Sequence, residues 1–464
     1  METLQRTANR GSLATGYDID NSLKLEADNG EVLTQTIGAG SRTTATYSFW
    51  FKRTELGADM QLAGISPIGS ETTRFIITSN DVLDVESGVG GDNNSLVTNR
   101  VFRDTSAWYH FVVAIDTTQS TEANRVKVYV NGVQETSFSA SEYPAQNTNL
   151  TIGVSGYTWS WGAYSTTQIK SSGYLAEAYY IDAQQLDPTS FGKFDEDTGI
   201  WKPIAYTGSF GSNGHYLDFS DASDLGNNSS GVGNDFTLNN ITSADQATDT
   251  PTNNFATLNP LQATSYYTLK EGGTVLEPSQ SGWGTGVSSI GVTSGKWYFE
   301  ERSTATDRTT MYGIVNESDV LTLQGDKHVG DGVYSVGFYG NTAQVFSNGS
   351  VIATYNIFNQ NQLVACALDL DNGKVYFAIQ NTWQNSADPA NGTGGISLPT
   401  GGSDTYFFGV NGYFSDNDVK TNHGGYTIQT PDSAASDENG YGTFEFAPPS
   451  GYYALCTKNL AEYG

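Results

Sequence analysis

The sequence predicts an all-β fold arranged as two antiparallel β-sandwich domains. Its 464 residues are too many for one small core and suit two or three domains. With 52 glycines, 12% aromatic residues and only 16% charged residues, the composition favours short strands and turns over long helices. Period-two alternation of apolar and polar residues also meets Asn-Gly pairs in both halves of the chain.

The Asn-Gly pairs mark three predicted hairpins. Residues 125–133 (RVKVYVNGV) place three valines on one face of a strand, directly before Asn131 and Gly132. Residues 343–352 (AQVFSNGSVI) and 368–377 (LDLDNGKVYF) repeat this pattern. Two consecutive residues with positive φ suit the type I′ turn that joins neighbouring strands. We therefore expect half-buried hairpin strands in both domains.

The alternation is lost between residues 196 and 262, where Asn, Ser, Gly, Asp and Thr predominate. Such a stretch buries little apolar surface, so we interpret it as an Asn/Ser/Gly-rich connector pinned down by Trp201, Phe219 and Phe236. The predicted organisation is an N-terminal arm (1–16), a first domain (17–195), the connector (196–262), a second domain (263–456) and a C-terminal tail (457–464).

Helices are expected to be few and short. Residues 182–187 are predicted to form one short helix, which Pro188 would close. The first dozen residues are a second candidate. Neither helix is long enough to organise the fold.

The charge balance argues against nucleic acid as a partner. The 22 basic and 50 acidic residues give a formal net charge of −28, which repels a phosphate backbone. The acids are spread along the chain, as on an ordinary solvated surface. The alternative is a cationic partner or one supplied with calcium.

Targeting and cysteine signals are also weak. The N-terminus lacks the apolar stretch of a signal peptide, and no segment approaches the roughly 20 apolar residues of a membrane span. We therefore expect synthesis in a cytoplasm and no membrane insertion.

Cys366 and Cys456 lie in apolar runs and are predicted to be buried free thiols. A disulfide bond between them is the alternative.

Three segments of the first domain follow one another as candidate sheet strands. These are residues 46–52 (TYSFWFK), residues 108–116 (WYHFVVAID), which lead into the first hairpin, and residues 173–182 (GYLAEAYYID). In this order they resemble the early core strand, the hairpin strand and the closing strand of the laminin G-like branch of the concanavalin A-like jelly-roll family. The resemblance implies a sandwich of two sheets.

The second domain has its own series of candidate strands. It opens with residues 295–301 (GKWYFEE) and 312–315 (YGIV), and later strands follow at 333–338, 363–370 and 374–379. This series resembles the strand order of the SPRY family, another sandwich of two antiparallel sheets. Trp50, Trp108 and Trp297 lie within these strand patterns, so we assign them to the cores.

Taken together, the order of segments looks like that of structural proteins of marine tailed phages. Residues 201–203 (WKP) and 252–260 (TNNFATLNP) in the connector, and 448–456 (PPSGYYALC) near the C-terminus, strengthen this similarity. The resemblance implies a virion protein. Because one fold hosts many functions, the role must still be argued from sites.

The sequence carries no catalytic pattern. Some concanavalin A-like proteins hydrolyse polysaccharides with carboxylates that alternate along one strand, and no strand here has that spacing. The nearest acids, Glu26, Asp28 and those at 195–197, are interpreted as solvated loop acids. His110, His215, His328 and His423 form no metal-binding motif, and we expect His110 in a sheet. We predict no enzymatic activity, no catalytic residue, no metal site and no cofactor.

One aromatic segment is the best candidate contact surface of the first domain. Residues 156–164 (GYTWSWGAY) are interpreted as a loop whose rings cannot all join the core. Tyr157, Trp159, Trp161 and Tyr164 are the predicted contact residues. Such rings stack on sugars or anchor a neighbouring subunit, and subunit packing is the preferred interpretation.

In the second domain, Trp383 and the acidic tip with Asp416 and Asp418 are predicted to lie in contact loops. The alternative for Trp383 is an anchor for its own loop, and the two interpretations stay open. For Asp416 and Asp418, solvation is preferred over calcium binding.

The leading hypothesis is a non-enzymatic phage virion surface protein, a fibre-like or decorating accessory of head or tail. It would mediate particle assembly and host-surface contact after synthesis in the host bacterial cytoplasm. Its expected partners are other virion proteins, host-surface polysaccharide and further copies of the chain. The alternatives are a glycan-binding host-receptor adhesin and a polysaccharide-degrading enzyme.

Overall fold

The computed structural model describes residues 16–66, 72–88, 94–262, 264–306, 308–414, 417–425 and 434–464. The chain divides into two compact units, residues 1–252 (unit 1) and 253–464 (unit 2). Each unit is built of antiparallel sheets around its own apolar core, which confirms the all-β prediction. Apart from Gly16, the predicted N-terminal arm and its candidate helix lie outside the described residues.

Unit 1 is a sandwich of two main sheets. One has the strand order β10-β9-β8-β3-β15-β1-β20, with β18 also paired to β15, and is called sheet A. The other, sheet B, has the order β11-β7-β6-β5-β4-β12-β2-β19, and two small hairpins join β13 to β14 and β16 to β17. The strands are β1 (Ser22–Leu25), β2 (Val32–Thr36), β3 (Thr44–Arg53), β4 (Met60–Ser66), β5 (Thr72–Ile77), β6 (Val82–Gly88), β7 (Ser95–Val101), β8 (Tyr109–Asp116), β9 (Val126–Val130), β10 (Val133–Gln134), β11 (Phe138–Ser141), β12 (Thr158–Trp161), β13 (Ala163–Ser165), β14 (Gln168–Lys170), β15 (Gly173–Asp182), β16 (Gly192–Phe194), β17 (Trp201–Pro203), β18 (His215–Leu217), β19 (Thr237–Asn239) and β20 (Gln246–Ala247).

The core of unit 1 lies between its two sheets. Alternation along β3 sends Tyr47, Phe49 and Phe51 into this core, where they are fully buried. The opposite face of the same strand carries Trp50 and Lys52, which are buried as well. That second face is therefore covered by another part of the protein.

The segment 196–252, predicted as connector, folds with unit 1 instead. Its strands β18, β19 and β20 pair with β15, β2 and β1, so it belongs to both sheets. The expected anchors Trp201, Phe219 and Phe236 are buried. Their partners lie far back in the sequence, and local composition does not encode such pairing.

Unit 2 is a second sandwich. One sheet has the order β21-β22-β34-β24-β29-β30-β31, with β32 on β30 and β35 parallel to β24, and the other has the order β23-β33-β25-β26-β27-β28. The strands are β21 (Tyr267–Lys270), β22 (Val275–Pro278), β23 (Gly284–Val287), β24 (Lys296–Ser303), β25 (Thr310–Asn316), β26 (Val336–Tyr339), β27 (Gln344–Ser347), β28 (Ser350–Thr354), β29 (Leu363–Asp369), β30 (Lys374–Ile379), β31 (Thr382–Trp383), β32 (Ile396–Ser397), β33 (Tyr406–Gly412), β34 (Val419–Asn422) and β35 (Tyr453–Ala454).

The two faces of β24 enter different apolar clusters of unit 2. Trp297 and Phe299 pack in the core between the sheets. Tyr298 packs on the outer side with Phe444 and Tyr452 from the C-terminal segment. Both faces of this strand are therefore buried, and the outer one is covered by residues close to the C-terminus.

The ends of unit 2 differ from the predicted boundaries. Residues 253–262, assigned to the connector, belong to unit 2, where Phe255 forms a bridge with Cys456. The predicted C-terminal tail contains an α-helix, α1 (Thr457–Tyr463), whose Leu460 is buried and whose Tyr463 stacks on Tyr453 at 3.9 Å. Packing of these side chains stabilises a helix too short to form alone.

Several smaller predictions are settled by burial. Trp50, Trp108 and Trp297 are buried as expected, and Cys366 and Cys456 are buried free thiols.

The prediction of a helix at 182–187 is wrong. Asp182 ends β15, and Pro188 begins a single 3₁₀ turn that is capped by the Asp187 side chain. The local Asp-Pro signal marks a turn entry here.

Candidate functional site

The aromatic segment of unit 1 lies in a strand. Residues 158–161 form β12, which pairs with β2 on one side and β4 on the other. Trp159 and Trp161 are 1% and 0% exposed, so the prediction that they are contact residues is wrong. Tyr157 is half-buried against the core, and Tyr164 is half-buried in the β13–β14 hairpin. Of the four predicted side chains, these two retain exposed surface.

Trp159 and Trp161 both contact His215, which lies on β18. Trp161 Nε1 donates a hydrogen bond to His215 Nε2 at 2.9 Å, and Trp159 and Phe236 pack edge-on against the imidazole. Burial lowers the pKa of His215 to about 3, so the ring stays neutral. The acceptor for the Trp161 indole N–H comes from the segment predicted to be a connector, so the sequence around Trp161 did not indicate its burial.

The outer face of sheet A is covered by the same late segment. Trp201 stacks on His110 and donates from Nε1 to His110 Nδ1 at 2.9 Å. Asp249 accepts hydrogen bonds from Lys52 at 2.7 Å and from Trp108 Nε1 at 3.0 Å. A ligand could reach this part of the sheet only if the segment moved away.

Buried carboxylates of unit 1 meet lysines near β1. Lys24 Nζ lies 3.1 Å from Glu31 and 2.7 Å from Asp245, and all three side chains are almost fully buried. Burial raises the pKa of Glu31 to about 7 against the opposing effect of Lys24. Glu26 is buried too, so interpreting it as a solvated loop acid was wrong, whereas Asp28 is exposed. The Glu26 carboxylate accepts from the backbone N–H of Asp28.

A third buried acid, Glu177, accepts three tyrosine hydroxyls. Tyr17, Tyr179 and Tyr216 donate to its carboxylate at 3.0, 2.5 and 2.6 Å. Its φ of +50° lies at a register shift in β15, a conformation that a non-glycine residue adopts only where its surroundings fix it. The three hydrogen bonds stabilise this bulge and link β15 to β18, so we interpret Glu177 as a residue that stabilises the fold.

The predicted site residues of unit 2 are dispersed. Trp383 is half-buried against the outer cluster formed by Tyr298, Phe444 and Tyr452, which supports its role as an anchor for its own loop. The backbone carbonyl of Asp418 accepts from Thr304, tying that residue to the end of β24. Asp416 lies outside the described residues.

Unit 2 presents a continuous aromatic surface that no local sequence motif indicates. Trp283 packs nearly at right angles to His328, Tyr339 and Tyr413, with ring centroids 5.3, 5.4 and 5.1 Å away. We call this surface the Trp283 patch, and its six members are Trp283, His328, Tyr339, Phe346, Tyr413 and Phe414. Five of them are half-buried, and Phe414 is 37% exposed.

The Trp283 patch is held in place by the backbone around it. Asp326 accepts from the Trp283 N–H at 2.7 Å, and Gly282 N–H donates to the Tyr413 carbonyl at 3.1 Å. Beneath the rings lies a small apolar cluster containing Met311, Val315 and Val329. Half-exposed rings fixed on a rigid sheet are the side chains that dominate protein interfaces, and they also stack on sugars.

Metal and membrane features are absent from the described part of the chain. No group of three or more His, Cys, Asp or Glu side chains there is arranged to hold a metal ion. Among the same residues, no helix has the length and apolar character needed to cross a bilayer.

Two family models match the chain. Residues 26–170 match the model of the concanavalin A-like lectin/glucanases superfamily, and residues 296–388 match the model of the SPRY domain. The chain carries a concanavalin A-like domain followed by a SPRY domain. Domains of both kinds are typically binding or adhesion modules.

Solved structures give weaker likenesses. The SPRY domain of human HERC1 is 18% identical, with 37% of this chain and 99% of that chain covered and a TM-score of 0.30. A native heptameric SAP-like pentraxin from Limulus polyphemus is 16% identical, with 41% and 91% covered and a TM-score of 0.28. At such scores the assignment rests on the family models. No curated protein matches the chain.

The Trp283 patch is only partly built by the matched SPRY segment. His328, Tyr339 and Phe346 lie within residues 296–388, whereas Trp283 and Tyr413 lie before and after them. The matched segment thus supplies strands β25 to β28 of this sheet, and flanking segments of the chain supply β23, β33 and the remaining rings. Spacing in sequence gave no sign of this, because the six rings come from five separate stretches of the chain.

Proposed function

We propose that this chain is a non-enzymatic surface protein of a tailed-phage particle that makes its contacts through the Trp283 patch of the SPRY domain. The observation that carries the binding role is the patch itself, six clustered rings fixed on a rigid sheet and open to solvent on one side. The phage setting is supported by the order of sequence segments that resembles virion structural proteins.

The non-enzymatic part of the proposal is supported by the acids of the concanavalin A-like domain. Asp245 and Asp249 each pair with a buried lysine, and Glu177 is engaged by three tyrosines. Carboxylates that are buried and held in such contacts leave no open position at which a glycosidic bond could meet them. Reducing-sugar release from bacterial capsular polysaccharides by the full chain would overturn this part.

Particle location is tested on purified phage particles from the source culture. Mass spectrometry should find this chain, and immunogold labelling should place it on the outside of intact particles. A chain found only in the lysate supernatant would overturn the virion assignment. The expected partners are other virion proteins, with no nucleic acid contact and no membrane insertion.

The role of the patch is tested by rebinding. Particles stripped of this chain should take up the added wild-type protein, measured by co-sedimentation, and Trp283→Ala should reduce uptake at least about tenfold, the scale of a hot-spot residue. Phe194→Ala is the matched control, because Phe194 is an aromatic residue of the other domain that is 48% exposed. Equal uptake of W283A and wild type would overturn the assignment of the patch.

A glycan-binding adhesin is the second candidate, favoured by the half-exposed rings beside the exposed Asp326 carboxylate, a pairing that suits sugar rings and hydroxyls. A glycan array probed with the full chain separates the two. Strong signals that W283A abolishes favour the adhesin, whereas a blank array together with particle uptake favours the structural role.

A further inference from the structure

The SPRY domain ends one of its sheets on an unprotected strand. β28 (Ser350–Thr354) pairs with β27 on one side and with no described strand on the other. A free strand edge offers a row of backbone donors and acceptors to another strand. Natural edges are commonly blocked by lysine or proline, and β28 (SVIAT) contains neither.

The side chains on this edge are apolar and exposed. Val351 and Ile352 are each 47% exposed, and Ile357, a few residues further along, is 46% exposed. The register against β27 shifts here, so that Ile352 is an extra residue between two paired neighbours. Among the described residues, this register shift is the one feature that protects the edge, and it leaves the Val351 and Ile352 side chains exposed to solvent.

Charge selects the partner for this edge. The chain carries −28 overall, so two copies repel each other across most of their surface. Residues 332–368, which contain β28 and its neighbours β26 and β27, hold no charged side chain at all. A second copy therefore meets no charged side chain on β26, β27 or β28 themselves, and the Asp331 carboxylate lies to one side, next to the turn at Gly349.

We propose that β28 pairs antiparallel with the β28 of a second copy, forming a two-fold symmetric dimer in which the two sheets become continuous. Pairing centred on Ile352 places the two Ile352 side chains opposite each other and Val351 opposite Ala353 of the second copy. Such a contact is self-complementary, as a two-fold interface requires. Two five-residue strands bury less than the roughly 1,000 Å² of a stable interface, so the dimer is expected to be weak and reversible.

Sedimentation velocity on the full chain tests the dimer. Its fraction should grow with protein concentration and also as NaCl is raised from about 0.1 M to about 1 M, since the Debye length falls from about 10 Å to about 3 Å. Ile352→Lys and Val351→Lys should each weaken dimerisation at least about tenfold by placing charge on the edge. Val101→Lys, at a site 49% exposed in the other domain, is the matched control and should leave it unchanged.

A cysteine scan tests the register. Cross-strand neighbours have Cα atoms about 4.5–5.5 Å apart, within the range of a disulfide. Ile352→Cys should form a covalent dimer under mild oxidation, with weaker yields from V351C and A353C and none from V101C. Cys366 and Cys456 are buried and should not react. Unchanged melting temperatures exclude misfolding as the cause of any loss.

Three results would overturn the proposal. These are a chain that stays monomeric at every concentration and salt level, a dimer that weakens as salt rises, and equal loss of dimer in I352K and V101K. None of them bears on the Trp283 patch, because particle uptake is measured separately.

Discussion

Glu301 tests how burial of a carboxyl group changes the stability of unit 2 with pH. It lies on β24 and shares a face with Trp297 and Phe299, so its side chain points into the core of unit 2. It is 1% exposed, and neither carboxylate oxygen has a hydrogen-bond partner among the described residues. Burial raises the pKa of Glu301 well above its ordinary value of 4.5, so the folded protein keeps it protonated over a range of pH in which the unfolded chain has released the proton.

The sign of the pH effect follows from that protonation. Above pH 4.5 the unfolded chain releases the Glu301 proton while the folded chain retains it, so the folded state binds more protons. The free energy of unfolding therefore falls by about 1.4 kcal/mol for each pH unit until the pH reaches the folded pKa. Below pH 4.5 this contribution is constant.

We expect Glu301→Gln and Glu301→Leu to remove this slope. Relative to wild type, each variant should gain about 1.4 kcal/mol per pH unit as the pH rises from 4.5 towards the folded pKa of Glu301. Leucine should be the more stable of the two, because glutamine leaves its amide buried without partners. Urea unfolding of the full chain at pH 5, 6 and 7, followed by tryptophan fluorescence, measures the difference.

Glu438→Gln is the control, since Glu438 is an exposed carboxylate in the same unit and should leave the pH profile unchanged. Parallel profiles of wild type and E301L would refute the reasoning, because they would mean that Glu301 is ionised or solvated in the folded protein. Loss of stability in E301L at every pH would refute it too, since the carboxyl would then have a favourable partner.

Three further predictions concern unit 1. Burial lowers the pKa values of His110 and His215 from 6.5 to about 3. Below pH 6.5 the unfolded chain therefore binds protons that the folded chain does not, and the free energy of unfolding should fall by about 1.4 kcal/mol per pH unit for each histidine. Urea unfolding at pH 6.5, 5.5 and 4.5 measures this slope, which His215→Gln should reduce. Lys52→Ala removes the cation that pairs with the buried Asp249 and should lower the free energy of unfolding by about 3–5 kcal/mol. Lys193→Ala, at an exposed position, should lower it by less than about 0.5 kcal/mol, and thermal unfolding measures both. Trp161→Ala should cost about 3–5 kcal/mol and Tyr164→Ala about 1 kcal/mol, and similar costs would contradict the assignment of Trp161 to the core.

Local sequence signals were sufficient for the hairpins and the fold class. Asn131 with Gly132, and Asn348 with Gly349, all have positive φ, as the type I′ turn requires. At the third pair only Gly373 has positive φ, and the Asn372 side chain bonds Asp369 instead. The Asn-Gly dipeptide therefore predicted a turn at all three places. The type of turn differs at residues 372–373, where Asp369 accepts a hydrogen bond from the Asn372 side chain.

Features made by distant segments could not be predicted in this way. The burial of Trp159 and Trp161 depends on His215, which arrives from a stretch whose composition resembles a linker. The Trp283 patch likewise brings together rings that precede and follow the matched SPRY segment. Period-two patterns identify which face of a strand is apolar, but they do not say what later covers that face.

The two proposed surfaces of the SPRY domain are neighbours in one sheet, so they must be separated by experiment. Phe346 of the Trp283 patch lies on β27, where it pairs with Val351 of the free edge. If one surface served both contacts, W283A would impair dimerisation and I352K would impair particle uptake. We expect each variant to lose only its own contact, because β28 would pair through the backbone groups of its free edge whereas the patch makes contact through its aromatic rings. Loss of both contacts in either variant would mean that they form one interface.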